Sequence, residues 1–253
     1  MQGSPSIAID YFLAGARLVV KPGFRRFILI PLLINLIIFF AVTIALYHAF
    51  GDFFALVLDW SPDWLDWFAW LLWPLVGFVF LVVYGYSFNI ITNFLAAPFF
   101  GLLAEKIETH LTGVTPPDEP WGQLIPRTLQ REAVKLWYFV SRGLLVFLVF
   151  IALFFIPGAN LLGVLIGAIW SCWCMAVQYS DYPADNHQLS FRELRRRLNK
   201  QPLTSYSYGG IILLGSMVPV LNIFITPIAV AGATLYWVKE VRHSIPNTQG
   251  INN

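Results

Sequence analysis

Two adjacent arginines and an interrupted apolar run are the residues of this sequence best suited to binding chemistry. Arg25 and Arg26 stand directly before an apolar segment, and residues 93–108, NFLAAPFFGLLAEKIE, contain Pro98 and Gly101 shortly before their first charged side chains. Proline lacks an N–H and disfavours helix at the preceding residue. The sequence therefore predicts that one helix ends at Pro98 and that another begins near Gly101.

A helix restart of this kind, over residues 99–111, would form an anion site. A helix N-terminus presents unpaired N–H groups and a positive dipole end, and arginine presents a planar fork of donors. The pattern would allow a doubly charged oxyanion to bind between this N-terminus and the two arginines. In the alternative interpretation, the arginines are membrane anchors and the proline–glycine segment is a packing kink.

Glu105 follows Gly101 by one helical turn. A carboxylate there would repel an anion unless a cation pairs with it, and Arg131 and Lys135 on a later segment are candidate partners. Charges inside a membrane are functional candidates by default, whereas a charge at the interface costs little. We therefore expect Glu105 and Arg131 either to line an anion pathway or to hold the local structure together.

The stretch DYPADNH, residues 181–187, carries acids and a histidine, which invites a metal or catalytic interpretation. Other histidines or acids at ligand spacing are missing nearby, and Pro183 favours a loop that caps the following helix. Cys172 and Cys174 are two residues apart and face different sides of a helix, so they are predicted to be free thiols. We expect no metal site, no cofactor and no catalytic residue.

The elements that must position these residues are membrane helices. Hydrophobic residues make up 58% of the chain and charged residues 12%, against about 25% charged residues in soluble domains. The mean hydropathy is +0.68. The net charge of +2 is too small to indicate a nucleic-acid partner. These values predict an all-α integral membrane protein in contact with lipid.

The distribution of charge predicts the topology. Residues 27–50 and 67–98 contain no Asp, Glu, Lys or Arg and are long enough to cross a hydrocarbon core about 30 Å thick. Their connection carries four aspartates and no basic residue, whereas basic residues precede the first segment and follow the second. The positive-inside rule places the two outer ends in the cytoplasm. Before them, residues 4–22 are predicted to form an amphipathic helix on the membrane surface.

Two later segments are predicted to form re-entrant hairpins. Residues 143–178 and 203–238 each contain two short apolar helices joined at a proline turn, IPGAN or VPVLN, with basic residues beyond both ends. Each pair would enter and leave the membrane on the cytoplasmic side, with its tip buried in protein or in a water-filled cavity. The alternative is that both hairpins cross completely. Between them, residues 190–200 are predicted to form a basic amphipathic helix that contacts lipid head groups or attracts anions.

With these motifs, the chain resembles the CysZ sulfate permeases of bacterial inner membranes. The resemblance rests on RRFILIPLLIN from Arg25, residues 93–108, YSDYPADNH, FRELRRRL and ITPIAVAGATLYWVKE, and its most specific element is GLLAE at residues 101–105. It implies two long transmembrane helices, two hemi-penetrating hairpins, a homo-oligomer, and sulfate uptake for cysteine synthesis. It also implies a sulfate site formed by Arg25, Arg26, Gly101, Leu102 and Leu103, the last three acting through backbone N–H groups.

Three classes of function compete. The first is a passive or ion-coupled sulfate permease or channel of the bacterial inner membrane, without ATP hydrolysis because the sequence carries no Walker A element. The second is a membrane enzyme of lipid or phosphate chemistry, for which no Gly-x-Ser-x-Gly element or acid–histidine cluster is present. The third is a membrane-shaping or assembly protein. We expect a sulfate transporter, with sulfate and membrane lipids as partners; transport of another oxyanion is a further alternative.

Overall fold

The structure is a computed structural model that describes residues 4–60, 69–116 and 119–242. Within these ranges the chain is helical and contains no strand, which confirms the predicted all-α fold class. In chain order the helices are α1 Pro5–Val19, α2 Arg26–Trp60, α3 Ala69–Thr112, α4 Trp121–Phe154, α5 Asn160–Asn186, α6 Phe191–Leu198, α7 Pro202–Ser216 and α8 Pro219–Tyr236. A π-helical turn, Trp237–Val241, follows α8.

The chain divides into two compact units. The first unit, Ile30–Ala96, contains most of α2 and the first part of α3, and the second combines Met1–Leu29 with Ala97–Asn253. In the first unit, large apolar side chains such as Phe40 and Leu81 are 56% and 69% exposed. Apolar surface on long helices with few charged side chains is suited to contact with lipid.

Among the residues that the structure describes, three helical stretches are long and apolar enough to cross a membrane: Leu36–Phe53, Trp121–Phe154 and Asn160–Asn186. The predicted crossing 27–50 falls within α2. Of the predicted crossing 67–98, residues 69–98 fall within α3; residues 61–68, with two of the four aspartates, lie outside the described residues. Helix α7 has 15 residues, about 22 Å at 1.5 Å per residue, which is shorter than the hydrocarbon core. Complete or partial crossing by the two later hairpins stays a prediction.

Pro98 does not interrupt α3, so the predicted helix end at this position was wrong. The helix is continuous from Ala69 to Thr112. A proline inside a helix removes one backbone hydrogen bond and bends the helix, and membrane helices tolerate it because neighbouring helices and local adjustments satisfy the freed backbone groups. The boundary between the two units does fall here, at Ala97, one residue before the proline.

Pro183 is also inside a helix, so the loop predicted for DYPADNH was wrong. Helix α5 continues through this proline to Asn186. The cap of the next helix comes instead from Ser190, whose hydroxyl accepts a hydrogen bond from the backbone N–H of Glu193 at 3.2 Å. The predicted basic helix over residues 190–200 is α6, and its leucines Leu194 and Leu198 are buried.

Helix α1 packs against α8 at two glycines. A Cβ added at Gly15 would lie 2.6 Å from the backbone nitrogen of Gly232, so a side chain at this position requires the two helices to separate. Beyond this contact, the Tyr11 hydroxyl donates to Glu240 Oε1 at 2.7 Å. Burial, and then the bond to Glu240, raises the pKa of Tyr11 well above its ordinary value.

The opposite face of α1 is apolar and partly exposed: Ile9 and Leu13 each expose about half of their surface. The predicted amphipathic helix over residues 4–22 therefore forms, and its buried face contacts protein. That its exposed face lies on the membrane surface stays a prediction.

Candidate functional site

Gly101 lies where α3 contacts the end of α5. The side-chain Nδ2 of Asn186 donates to the carbonyl oxygen of Gly101 at 2.8 Å, and the rings of Phe100 and Tyr182 lie 5.6 Å apart. A Cβ added at Gly101 would lie 3.5 Å from Oδ1 of Asn186, which is ordinary van der Waals contact. Gly101 is therefore part of a helix–helix contact that has room for an alanine.

One turn beyond Glu105, a second contact joins α3 to the end of α5. The carboxylate of Glu108 is 1% exposed. Nε2 of His187 lies 2.8 Å and 2.9 Å from its two oxygens, and Nη1 of Arg242 donates to Oε1 at 3.0 Å. A buried carboxylate needs such partners because desolvation without them is costly. The motifs GLLAE and DYPADNH thus belong to one interface.

Basic residues on α4 face acidic residues on α5. Arg127, Arg131 and Lys135 recur every four residues, and so do Asp181 and Asp185, so each set lies on one side of its helix. Nη2 of Arg131 lies 2.6 Å from Oδ1 of Asp181. Nη1 of Arg127 lies 2.6 Å from Oδ1 of Asp185. Lys135 reaches Oδ2 of Asp181 at 3.2 Å.

Two further carboxylates complete this α4–α5 ion-pair cluster. Glu132 lies 2.6 Å from Nζ of Lys135, and Glu119 lies 2.8 Å from Nη2 of Arg127. The side chains of Lys135 and Asp181 are each only 1% exposed. The cluster thus contains three basic and four acidic side chains. Because its acids outnumber its bases, it does not present a net positive charge to an anion.

Arg131, one of the two predicted pathway residues, is tied into this cluster. Its Nε and Nη2 both donate to the carboxylate of Asp181, at 2.9 Å and 2.6 Å. An anion that bound Arg131 in this geometry would have to displace that carboxylate. Glu105, the other predicted pathway residue, is partly exposed on α3 and its backbone carbonyl accepts a hydrogen bond from the Thr109 hydroxyl at 2.9 Å.

Arg25 and Arg26 are exposed at the beginning of α2. Nε of Arg25 donates to the carbonyl oxygen of Val20 at 3.0 Å, which uses one of the five donors of the guanidinium. The preceding residue, Phe24, contacts the ring of His110 with centroids 5.8 Å apart. His110 follows Gly101 by nine residues, or about 13 Å along α3.

The other predicted members of the anion site, residues 101–103, lie in the interior of α3. Their N–H groups are at positions that donate to carbonyls one turn earlier in a continuous helix, rather than at a helix N-terminus. Leu103 is fully buried. The free backbone donors that the sequence predicted are therefore not present in this conformation, because α3 passes through Pro98 without a break.

The sequence analysis missed the role of Asp181, Asp185 and Asn186. A signal was present, since two acids four residues apart on one segment match three bases at the same spacing on another. Among the described residues, no group of His, Cys, Asp or Glu could hold a metal ion. Cys172 and Cys174 are free thiols.

Long apolar helices with lipid-suited surfaces define an all-α integral membrane protein. The family described as sulfate transporter CysZ/etoposide-induced protein 2.4 matches residues 11–227. This match covers most of the chain, and the chain belongs to that family.

Proposed function

We propose that this protein carries sulfate across the bacterial inner membrane into the cytoplasm, where the sulfur supplies cysteine synthesis. The observation that carries the proposal is the family match over residues 11–227, since the family's description names a sulfate transporter. The protein would act as a channel-like or ion-coupled permease, without ATP hydrolysis or other enzymatic activity. It would work as a homo-oligomer, with residues 143–178 and 203–238 as re-entrant hairpins.

For the sulfate site we propose Arg25 and Arg26 together with the backbone of residues 101–103. Support for the arginines comes from their exposure and adjacency, since two guanidinium groups match the two charges of sulfate and offer several donors each. Charge-assisted hydrogen bonds are worth about 1.5–3 kcal/mol each. Two such contacts would favour the binding of a dianion at the membrane–water interface.

Support for residues 101–103 is weaker, because their N–H groups donate within α3 in the conformation described above. They would become available only if the helix opened at Pro98, where the proline already removes one backbone hydrogen bond. The proposal thus has two separable parts: an arginine pair that binds sulfate, and a turn of α3 that opens to join it. Glu105 and Arg131 would then line the route beyond the site.

The test is sulfate binding by purified oligomer, measured by calorimetry at low salt. Arg25→Ala combined with Arg26→Ala should weaken binding by about 10²-fold or more, from the loss of two charged contacts. Arg192→Ala with Arg196→Ala removes the same charge from the exposed side of α6 and is the matched control. Equal affinities of the two double variants would refute the arginine site.

A variant at Gly101 tests the opening of α3 independently of the two arginines. Gly101→Ala has room in the contact with Asn186 and favours a closed helix, because alanine has the higher helix propensity by about 1 kcal/mol. If α3 opens to bind sulfate, this variant should bind more weakly than the wild type. Unchanged binding would leave Gly101 as a packing residue and confine the site to the arginines.

The alternative functions differ in what they predict for flux. A sulfate transporter accumulates radiolabelled sulfate in proteoliposomes, and excess unlabelled sulfate competes. A transporter of another oxyanion would show stronger competition by thiosulfate, sulfite or molybdate. A membrane-shaping or assembly protein would show no flux above empty liposomes, and that result would refute the proposal.

A further inference from the structure

A cleft of about 380 Å³ opens among helices α4, α5, α6 and α7. This volume is within the range of about 300–1,000 Å³ that is typical of small-molecule sites. One end of the cleft is aliphatic, formed by Val146 on α4 and by Ile166 and Ile169 on α5. These residues belong to the two uncharged runs of the first predicted hairpin. The predicted hairpin would place this end at the level of the hydrocarbon core.

Aromatic residues form the middle of the cleft. The rings of Tyr138 and Trp170 lie 5.7 Å apart, and those of Trp173 and Tyr206 lie 5.4 Å apart. The indole Nε1 of Trp173 donates to the Tyr138 hydroxyl at 3.0 Å, which joins the two ring pairs. Tryptophan and tyrosine are enriched at membrane interfaces because their rings are apolar and their polar atoms remain hydrated.

The other end of the cleft is polar and cationic, formed by Arg195 of α6 and by Asn199, which follows the last residue of α6. The Arg195 guanidinium lies 4.2 Å from the centroid of the Tyr138 ring and 4.8 Å from that of Phe191, and its Nε donates to the Phe191 carbonyl at 3.4 Å. Its contacts among the described residues include no carboxylate. The stacking orients the guanidinium plane and leaves its terminal nitrogens as donors.

The acid of α6 is already engaged elsewhere. Oε1 of Glu193 accepts a hydrogen bond from Nε of Arg197 at 3.1 Å, and this bond lowers the pKa of Glu193. Exposed Arg192, Arg196 and Lys200 add further positive charge to the same helix. The polar end of the cleft is therefore complementary to an anion.

The cleft thus changes from cationic to aromatic to aliphatic in the order in which a phospholipid changes from phosphate to glycerol to acyl chain. We propose that it binds one anionic glycerophospholipid, with the phosphodiester on Arg195 and Asn199 and the first part of an acyl chain along Val146, Ile166 and Ile169. A free inorganic anion would leave the aliphatic end unused. An apolar helix of a second copy would leave Arg195 without an anionic partner.

The experiment titrates phosphatidylglycerol, and separately phosphatidylcholine, into the purified full-length oligomer and counts bound lipid by native mass spectrometry. We expect phosphatidylglycerol to bind more tightly, because its headgroup keeps a net negative charge. Arg195→Gln should weaken it by about tenfold, the effect of losing one charged hydrogen bond. Arg196→Gln, which removes the same charge from an exposed position on α6, should have little effect. Equal weakening by both variants would overturn the site and indicate attraction by the whole basic helix.

A second variant tests the aliphatic end. Val146→Trp fills it without a change of charge and should also weaken phosphatidylglycerol binding, while the melting temperature reports that the fold is intact. Soluble glycerol 3-phosphate should fail to displace the lipid; efficient displacement would assign the cleft to a free phosphate ester instead. A changed oligomer mass in Val146→Trp would show that the cleft is covered by a second copy, which would also overturn the proposal.

Discussion

Replacing Asp181 by asparagine tests whether the α4–α5 ion-pair cluster stabilises the fold or handles anions. Asp181 accepts two hydrogen bonds from Arg131 and lies 3.2 Å from Nζ of Lys135, and its side chain is 1% exposed. Asparagine keeps the size of the side chain and removes its charge. Arg131 then loses its carboxylate partner, and Lys135 keeps only Glu132.

The expected cost follows from the burial of the cluster. Removing one partner of a buried ion pair costs about 3–5 kcal/mol, because the other charge remains desolvated without compensation. Asparagine can still accept one hydrogen bond, so we expect the lower end, about 3 kcal/mol. For chains of 150–250 residues, 1 kcal/mol corresponds to about 2–4 °C in melting temperature. The variant should therefore melt about 6–12 °C below the wild type.

The assay is thermal unfolding of purified protein in one detergent, at one protein concentration. Glu119→Gln is the control, since it also removes one carboxylate but from a pair whose side chains are 18% and 24% exposed. It should cost about 1 kcal/mol or less. The double variant Arg131→Gln with Asp181→Asn should lose less than the sum of its single changes, because neither charge is left alone.

Sulfate binding by the same variants shows whether the α4–α5 ion-pair cluster has only a structural role or also acts on anions. If the cluster only holds α4 against α5, the folded Asp181→Asn protein binds sulfate as the wild type does. A melting temperature within about 2 °C of the wild type would refute the stability argument. An unchanged melting temperature with weakened sulfate binding would instead assign Arg131 to the anion pathway.

Three further predictions concern helix contacts and topology. Gly15→Leu should lower the melting temperature strongly because a side chain there meets the backbone of Gly232, whereas Gly77→Ala, with no atom within 4 Å of the new Cβ, should not. Since the pKa of Tyr11 is raised on folding, its contribution to stability is complete below its unfolded pKa of about 10 and declines as the pH rises toward the folded value. Tyr11→Phe should therefore reduce the loss of melting temperature between pH 9 and 11; the same loss as in the wild type would contradict the assignment. Cysteines placed at Ala159 and Met217, in a background without Cys172 and Cys174, should resist impermeant thiol reagents added outside the cell. A cysteine placed at Asp52 should react. Labelling of both hairpin tips would show that the hairpins cross the membrane completely.

Many helices of this fold are determined by local sequence patterns and could be predicted from the sequence. A long run without charged side chains must form helix in lipid, because only helix satisfies its own backbone hydrogen bonds within one segment. This rule locates α2, the first part of α3 and the apolar parts of the later helices, and the amphipathic spacing of residues 190–200 locates α6. The same information located Arg25 and Arg26 at the beginning of a membrane helix, where they are exposed.

Whether a proline ends a helix could not be predicted from the local sequence. Pro98 and Pro183 each predicted an end of helix, because the local cost of proline in a helix interior is about 3 kcal/mol. In the structure, both helices continue, and small or buried neighbours such as Ala96 and Ala97 surround the first proline. Pro98 and Pro183 are both buried in protein, so tertiary packing outweighs the local preference.

The sequence by itself determined that this is a helical membrane protein and which of its residues carry charge. Only the tertiary structure decided which charges meet. Arg131 and Asp181 are 50 positions apart, and Asn186 and Gly101 are 85 apart. No periodic pattern specifies such a pairing, because it depends on how one helix lies against another. The aromatic cleft beside Arg195 has the same origin, since four helices contribute its walls and none of them forms it alone.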